Sequence, residues 1–184
     1  LPVPWKITWR VRSGYIFSLF WLTVFVGLSI SYLVGRLIDT SGSLNYPTGL
    51  YFTDGIQYIP MWQYLGILLI LSMLLSYVLI LLTTGLSWFI RNSYLTILTI
   101  ITLFALPQIW YFAPALTSWQ PSLYLNIFGV VNGTTAAMTG ISNVVWWKAA
   151  IIFIVLIIVL ELIFEVVFSR IPTQTTGLKR RVLT

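Results

Sequence analysis

The chain has 184 residues, of which 59% are hydrophobic and 8% charged, with a mean hydropathy of +0.95 and a net charge of +6. This balance excludes an ordinary soluble globular domain and indicates an integral membrane protein whose apolar runs cross the bilayer as helices. It contains no Cys and no His, which excludes disulfides, haem attachment and zinc or catalytic sites built on those residues.

The first 15 residues, LPVPWKITWRVRSGY, alternate aromatic and basic side chains. Trp5 and Trp9 are four positions apart, as are Lys6 and Arg10, so the pattern predicts a short amphipathic helix before the first apolar run. Two interpretations of this helix remain open. It rests on the cytoplasmic face of the membrane, or it forms a surface on which a cytoplasmic subunit docks.

Four apolar runs predict four membrane-spanning helices, the second of which is long enough to tilt or to project beyond the bilayer. They cover about 15–35, 62–90, 94–112 and 147–168. The predicted fold is therefore an all-α integral membrane protein, a single transmembrane domain over 1–184, with short interfacial helices in addition. Eight of the nine Trp residues fall near predicted span ends, where Trp anchors helices, and Trp21 is the exception.

The two predicted outer connections differ in composition. Residues 36–61 carry Gly, Pro, Asn and Asp, which predicts an ordered, turn-rich loop. Residues 113–146 are mostly apolar or small, and each half is too short to cross, so we expect this segment to lie at the outer interface or to enter it as short helices. Its small residues favour either close helix contact or a simple loop. They are Gly129, Gly133, Ala136, Ala137 and Gly140.

The basic residues set the expected orientation, because Lys and Arg near span ends are retained on the cytoplasmic side. With four spans, eight of the ten fall on one side, and only Arg36 and Lys148 fall on the other. The eight are Lys6, Arg10, Arg12, Arg91, Arg170, Lys179, Arg180 and Arg181. This distribution predicts that both chain ends are cytoplasmic.

Two of the four acidic residues, Glu161 and Glu165, lie inside the last span. They are about 40° apart around a helix and so face the same way, with Glu161 about 10 Å from the cytoplasmic end. A buried, unpaired carboxylate is costly, so we expect Glu161 to be protonated or partnered, with Arg91 or Arg170 as the available cation. We hypothesise that the pair faces the bundle and contacts the cytoplasmic end of the second span near Arg91. It either holds the last span in register and snorkels, or it takes part in conformational coupling.

Pro107, followed by Gln108, breaks the backbone ladder of the third span and predicts either a mobile gate or a static kink. No Gly-x-x-x-x-Gly-Lys-Ser/Thr stretch is present, so we do not expect this chain to hydrolyse ATP. Its Ser residues lack an obvious base, because there is no His and no Lys within a span. We therefore predict that the chain is not an enzyme and holds no metal or cofactor of its own.

Three features resemble the permease subunits of type-2 ABC exporters, especially small bacterial ones for peptides, toxins or self-protection. They are the turn LLTTGLSWFIRNSYLTILTII between two apolar spans, the preceding SGSLNYPTG and IPMWQYL, and the broken outer segment before a last span with a basic tail. The family normally has six spans, so the resemblance implies that these four correspond to its last four, and that either two more precede Leu1 or the chain is a shorter relative. It also implies that VPWKITWRVR is the coupling element and that residues 117–147 hold paired short helices.

The resemblance further implies a cytoplasmic ABC ATPase partner that binds ATP and Mg²⁺, and a second permease chain, either identical or a paralogue. The expected function is export of an amphipathic peptide or lipid-like substrate across a bacterial cell membrane. The alternative is a non-transport scaffold or assembly subunit. A proton- or ion-coupled carrier using Glu161 is disfavoured, because one deep carboxylate is a poor relay. Nucleic acid is not an expected partner, because the basic residues flank apolar segments.

Overall fold

The computed structural model describes residues 5–38, 42–52, 55–109, 118–141 and 143–169. The helices are α1 (Trp5–Leu37), α2 (Met61–Ile90), α3 (Ser93–Ile109), α4 (Ile127–Asn132), α5 (Thr134–Thr139) and α6 (Trp146–Ser169). Two strands, β1 (Pro47–Phe52) and β2 (Gly55–Pro60), form an antiparallel hairpin, and a 3₁₀ turn covers Pro121–Tyr124. Within the described residues, α1, α2 and α6 are long and apolar enough to cross a membrane.

Helix α1 is one continuous helix of 33 residues. The prediction of a separate amphipathic helix before the first span is therefore wrong, because the residues from Trp5 onward form the first turns of α1. Gly14 is the only helix-weakening residue in this region, and a single Gly costs about 1 kcal/mol, which does not end a helix of this length. Farther along, Thr23 and Ser29 donate their hydroxyl protons to carbonyls four residues earlier, which satisfies both groups within an apolar helix.

Helix α2 matches the predicted second span, and backbone groups outside the helix define both of its ends. At its start, the Met61 and Trp62 N–H groups donate to the Tyr46 and Leu44 carbonyls. At its end, Arg91 adopts a left-handed conformation with φ 53° and donates its N–H to the Ser87 carbonyl. The Asn92 side chain then accepts from the first N–H groups of α3.

Helix α3, predicted as a span over 94–112, is described as 17 residues ending at Ile109. At about 1.5 Å per residue it is about 25 Å long, short of the roughly 30 Å hydrocarbon core. Residues 110–117 lie outside the described residues, so the count of four spans stays a prediction. Pro107 and Gln108 lie in the last turn of α3, and their side chains are outside the described part of the structure.

The hairpin is the main departure from the predicted all-α class. It lies in the segment predicted as a turn-rich loop, and its register pairs Pro47 with Pro60 and Phe52 with Gly55. Strand β2 runs directly into α2, while β1 packs against α4. The hairpin, the 3₁₀ turn, α4 and α5 together form a cap over the start of α2 and the start of α6, and we call these residues the outer cap.

The bundle itself is built around α2, which packs along α6 and also contacts α1 and α3. Buried apolar side chains from α2, α6 and the outer cap form one continuous core. A second, smaller core lies at the other end, where Trp9, Leu81 and Phe164 meet. The start of α1, the end of α2 and the end of α6 therefore lie together at this end of the bundle.

Candidate functional site: a polar junction of three helices

The first contact at this end of the bundle joins α1 to α6. Arg10 donates to Glu165 over 3.0 Å, and the two side chains are 47% and 35% exposed. One residue earlier on each helix, the Trp9 ring meets the Phe164 ring edge to face at a centroid distance of 5.6 Å. Trp9 is only 6% exposed. An ion pair and an aromatic pair thus hold α1 and α6 together side by side.

The second contact joins α2 to α6. The Tyr77 hydroxyl donates to a Glu161 carboxylate oxygen over 2.9 Å. Two turns farther along α2, Gly85 lies directly against the Phe164 ring, so that a methyl group at this position would overlap the ring. The absence of a side chain at Gly85 therefore lets α2 and α6 approach closely where the carboxylates lie.

The third contact joins α1 to α2 through hydroxyl groups. Ser13, which is almost fully buried, lies 3.2 Å from the Thr84 hydroxyl, and either group can donate. Deeper in the bundle, the Trp21 indole N–H donates to Ser76 over 2.8 Å. This bond accounts for the one Trp residue that the predicted aromatic belts did not include. We call Arg10, Ser13, Tyr77, Thr84, Glu161 and Glu165 the polar junction.

The structure corrects the predicted partner of the two carboxylates. Both face the bundle, as expected, but Glu165 pairs with Arg10 and Glu161 with Tyr77, and neither contact involves Arg91. The sequence places Arg91 at the right membrane level without fixing its direction around the helix axis. In the structure, Arg91 lies with Thr84 and Trp88 on the side of α2 that faces α1. Arg170, the other predicted cation, lies outside the described residues.

The residues predicted to couple the chain to an ATPase differ in what they contact. Trp9 and Arg10 belong to the polar junction and its aromatic pair, so they contact the bundle itself. The side chains of Trp5 and Lys6 lie outside the described part of the structure. The exposed side chains in these first turns include Arg10 and Arg12 as well as the apolar Ile7, which is 51% exposed, and Val11, which is 64% exposed.

The small residues predicted to allow close contact do so at two positions. Gly133 has a φ of 85°, and a methyl group there would overlap the backbone carbonyl of Tyr51 in β1. Gly129 lies against Asn126 and Thr135, whereas Gly140 has open space around it. The described residues around α4 are therefore packed onto the hairpin rather than forming a simple loop.

Two polar side chains that the sequence did not reveal lie in or beside the outer cap, namely Tyr124 in the 3₁₀ turn and Lys148 at the start of α6. Lys148 is 7% exposed, with its ammonium 5.4 Å from the Trp119 ring centroid and 5.6 Å from that of Trp147. The Tyr124 hydroxyl donates to the Ser118 carbonyl over 2.6 Å, and burial raises the pKa of this phenol to about 12. The signal for Lys148 was the WWK triplet, which sets a cation beside two rings.

Chemically, the polar junction links three helices through hydrogen bonds and an ion pair. Its hydroxyls donate to or lie against other protein groups, and its carboxylates have partners from two different helices. Among the described residues there is no group of three acidic side chains that could hold a metal ion. What the junction can do is transmit a displacement of α1 to α2 and α6 together.

Comparison with models of known protein families, with curated proteins and with solved structures gives no match for this chain.

Proposed function

We propose that the chain is the permease subunit of a type-2 ABC export complex, which moves an amphipathic peptide or lipid-like substrate out of the cytoplasm. The observation that supports it best is the pair of short helices α4 and α5, each of six residues, immediately before the last long helix. Paired short helices in that connection are what the sequence resemblance implies for residues 117–147. Three helices long enough to span a membrane are also in agreement with it.

In this proposal α3 is the fourth span and both chain ends are cytoplasmic in a bacterial cell membrane. The support is the meeting of the start of α1, the end of α2 and the end of α6 at one end of the bundle, together with the basic residues there. Lys148, at the start of α6 beside the outer cap, is then on the opposite side.

ATP and Mg²⁺ belong, in this proposal, to a cytoplasmic ATPase that docks on the first turns of α1. Because Trp9 is buried against Phe164, the docking contacts are assigned to the exposed Ile7 and Val11. Movement of α1 reaches α2 and α6 through the polar junction. The membrane-spanning part of α1 is only 6% buried within this chain, which leaves room for a second permease chain beside it.

The decisive experiment is purification of the tagged chain from its own host in mild detergent. Co-purification of an ATPase with a phosphate-binding loop, lost in an Ile7→Asp/Val11→Asp variant, supports the proposal. Tyr58→Asp, an exposed position in the hairpin, is the matched control and should keep the ATPase. A stable complex with no ATPase would instead favour the scaffold subunit. Transport that stops with a proton uncoupler but survives ATP depletion would favour an ion-coupled carrier.

A further inference from the structure

A cleft of about 270 Å³ lies between the first turns of α1 and the last turns of α2. It is lined by Thr8, Trp9, Arg12, Thr84, Ser87, Trp88 and Arg91. We propose that this cleft, the arginine cleft, binds a phosphate group carried by the headgroup of an anionic phospholipid. At roughly 30 Å³ per water molecule, its volume corresponds to about nine waters, which is enough for a phosphodiester and part of its glycerol.

Within the described part of the chain, no acidic side chain balances the charge of the arginine cleft. Among the described residues that line it there is no carboxylate, and neither Arg12 nor Arg91 has an ion-pair partner in the described ranges. Glu161 and Glu165, the two carboxylates at this end of the bundle, are already engaged, since Glu165 pairs with Arg10 and Glu161 with Tyr77. Two arginines therefore line one cavity, and planar guanidinium groups match phosphate oxygens.

The backbone at Arg91 supports a binding role for its side chain. Its φ of 53° places a residue with a Cβ in the left-handed region, where helix ends usually have Gly. An arginine at the end of α2 is therefore less favourable for the backbone than a glycine would be. Arg91, however, lines the arginine cleft together with Arg12, and both side chains are exposed.

The position of the cleft favours a lipid over free phosphate. It opens at the ends of two helices that are long and apolar enough to cross a membrane, at the level where headgroups lie. Trp9 and Trp88 line it, and indoles favour that level. Exposed apolar side chains such as Ile16 and Phe20 continue along α1 away from the cleft and offer a surface for acyl chains. Basic pockets between helices are a known type of site for anionic headgroups.

The test uses the full chain in detergent and measures lipid binding by native mass spectrometry, with phosphatidylglycerol and phosphatidylcholine as probes. We expect preferential retention of phosphatidylglycerol and a loss of about tenfold or more in affinity in the Arg12→Gln/Arg91→Gln variant, because charge-assisted hydrogen bonds are the strong ones. Arg36→Gln, which removes a basic residue at the other end of α1, should leave binding unchanged.

Arg91→Gly separates loss of binding from loss of folding. Glycine suits the left-handed backbone, so this variant should melt at a higher temperature than the unmodified chain while binding phosphatidylglycerol more weakly. Unchanged phosphatidylglycerol binding in the double arginine variant would overturn the proposal. So would equal retention of the two lipids together with arginine-dependent binding of inorganic phosphate, since the site would then serve a free anion. The inference does not depend on whether the chain is a transporter.

Discussion

The Tyr77 hydroxyl, in the middle of α2, donates a 2.9 Å hydrogen bond to Glu161 of α6. It is the bond that gives the deeper of the two carboxylates a partner, because a phenol supplies the proton that an apolar surrounding cannot. In a bilayer, hydrogen bonds between helices contribute about 0.6 kcal/mol on average and at most about 2 kcal/mol.

Tyr77→Phe should therefore lower the free energy of unfolding by about 0.6 kcal/mol and by no more than about 2 kcal/mol. Tyr94→Phe, at a position 86% exposed in α3, should have no effect and is the matched control. The measurement is unfolding in mixed micelles, combined with Glu161→Gln in a double-mutant cycle. Additive effects of the two changes would show that the hydroxyl and the carboxylate are not coupled.

Reversing the ion pair tests which cation serves Glu165. Arg10→Glu and Glu165→Arg should each reduce stability by about 0.2–1 kcal/mol, since the pair is partly exposed, and the double variant should recover most of the loss. The effect should shrink at high salt. The control is Arg91→Glu with Glu165→Arg, for which we expect no recovery. Recovery in that control rather than in the first pair would restore Arg91 as the partner.

Gly85→Ala should weaken the packing of α2 on α6, because the added methyl group overlaps the Phe164 ring. Overpacking of this kind costs about 1–3 kcal/mol. Gly66→Ala, in the same helix but with nothing close to the added group, should instead raise stability by up to about 1 kcal/mol. Thermal melting in detergent distinguishes the two, and Phe164→Leu should partly rescue Gly85→Ala. Equal melting temperatures would contradict the close approach.

A comparison of Gly133→Ala with Gly140→Ala separates backbone strain from steric overlap. Both glycines have positive φ, 85° and 68°, but only Gly133 lies against the Tyr51 carbonyl. Both variants should carry a strain cost of roughly 1 kcal/mol, and Gly133→Ala should in addition loosen the outer cap. Hydrogen exchange of the hairpin amides reports the difference. Similar protection in the two variants would argue against the contact.

The raised pKa of Tyr124 predicts that the protein loses stability at high pH. Its pKa is raised by burial from 10.0 to about 12, so the unfolded chain releases this proton more readily than the folded chain does. Stability from the neutral phenol is complete below pH 10 and is lost as the pH rises towards 12. Between pH 9 and 12, the free energy of unfolding should fall less steeply with pH for Tyr124→Phe than for the unmodified chain. The same slope in both would show that Tyr124 does not have the raised pKa.

The long elements of this fold are predictable from sequence because an apolar run has few alternatives in a membrane. The bounds of α2 and α6 agree with the predicted spans within a residue. The continuation of α1 through Trp9 and Arg10 was not predicted, because polar residues at a span end look like an interfacial helix until the packing of Trp9 on Phe164 is known. The hairpin was not predicted because its Gly and Pro residues signal turns more strongly than strands.

The candidate site was predictable in composition and membrane level but not in pairing. Sequence spacing places Glu161 and Glu165 on one face of α6 and identifies the end at which they lie. It does not give the rotation of α2 about its axis, which directs Tyr77 towards Glu161 and Arg91 towards α1. The enclosure of Lys148 by Trp119 and Trp147 likewise depends on how the outer cap folds back over α6.

The two ends of α6 carry opposite charges that are held in different ways. Near its start, the ammonium of Lys148 lies between two indole rings, and near its end, Glu165 meets Arg10 on another helix. About 25 Å of helix separates these two residues, close to the thickness of a bilayer's hydrocarbon layer. Translation of α6 along its own axis, in either direction, would move one of these charges into the hydrocarbon layer. We therefore expect α6 to tilt or rotate and not to slide along its axis.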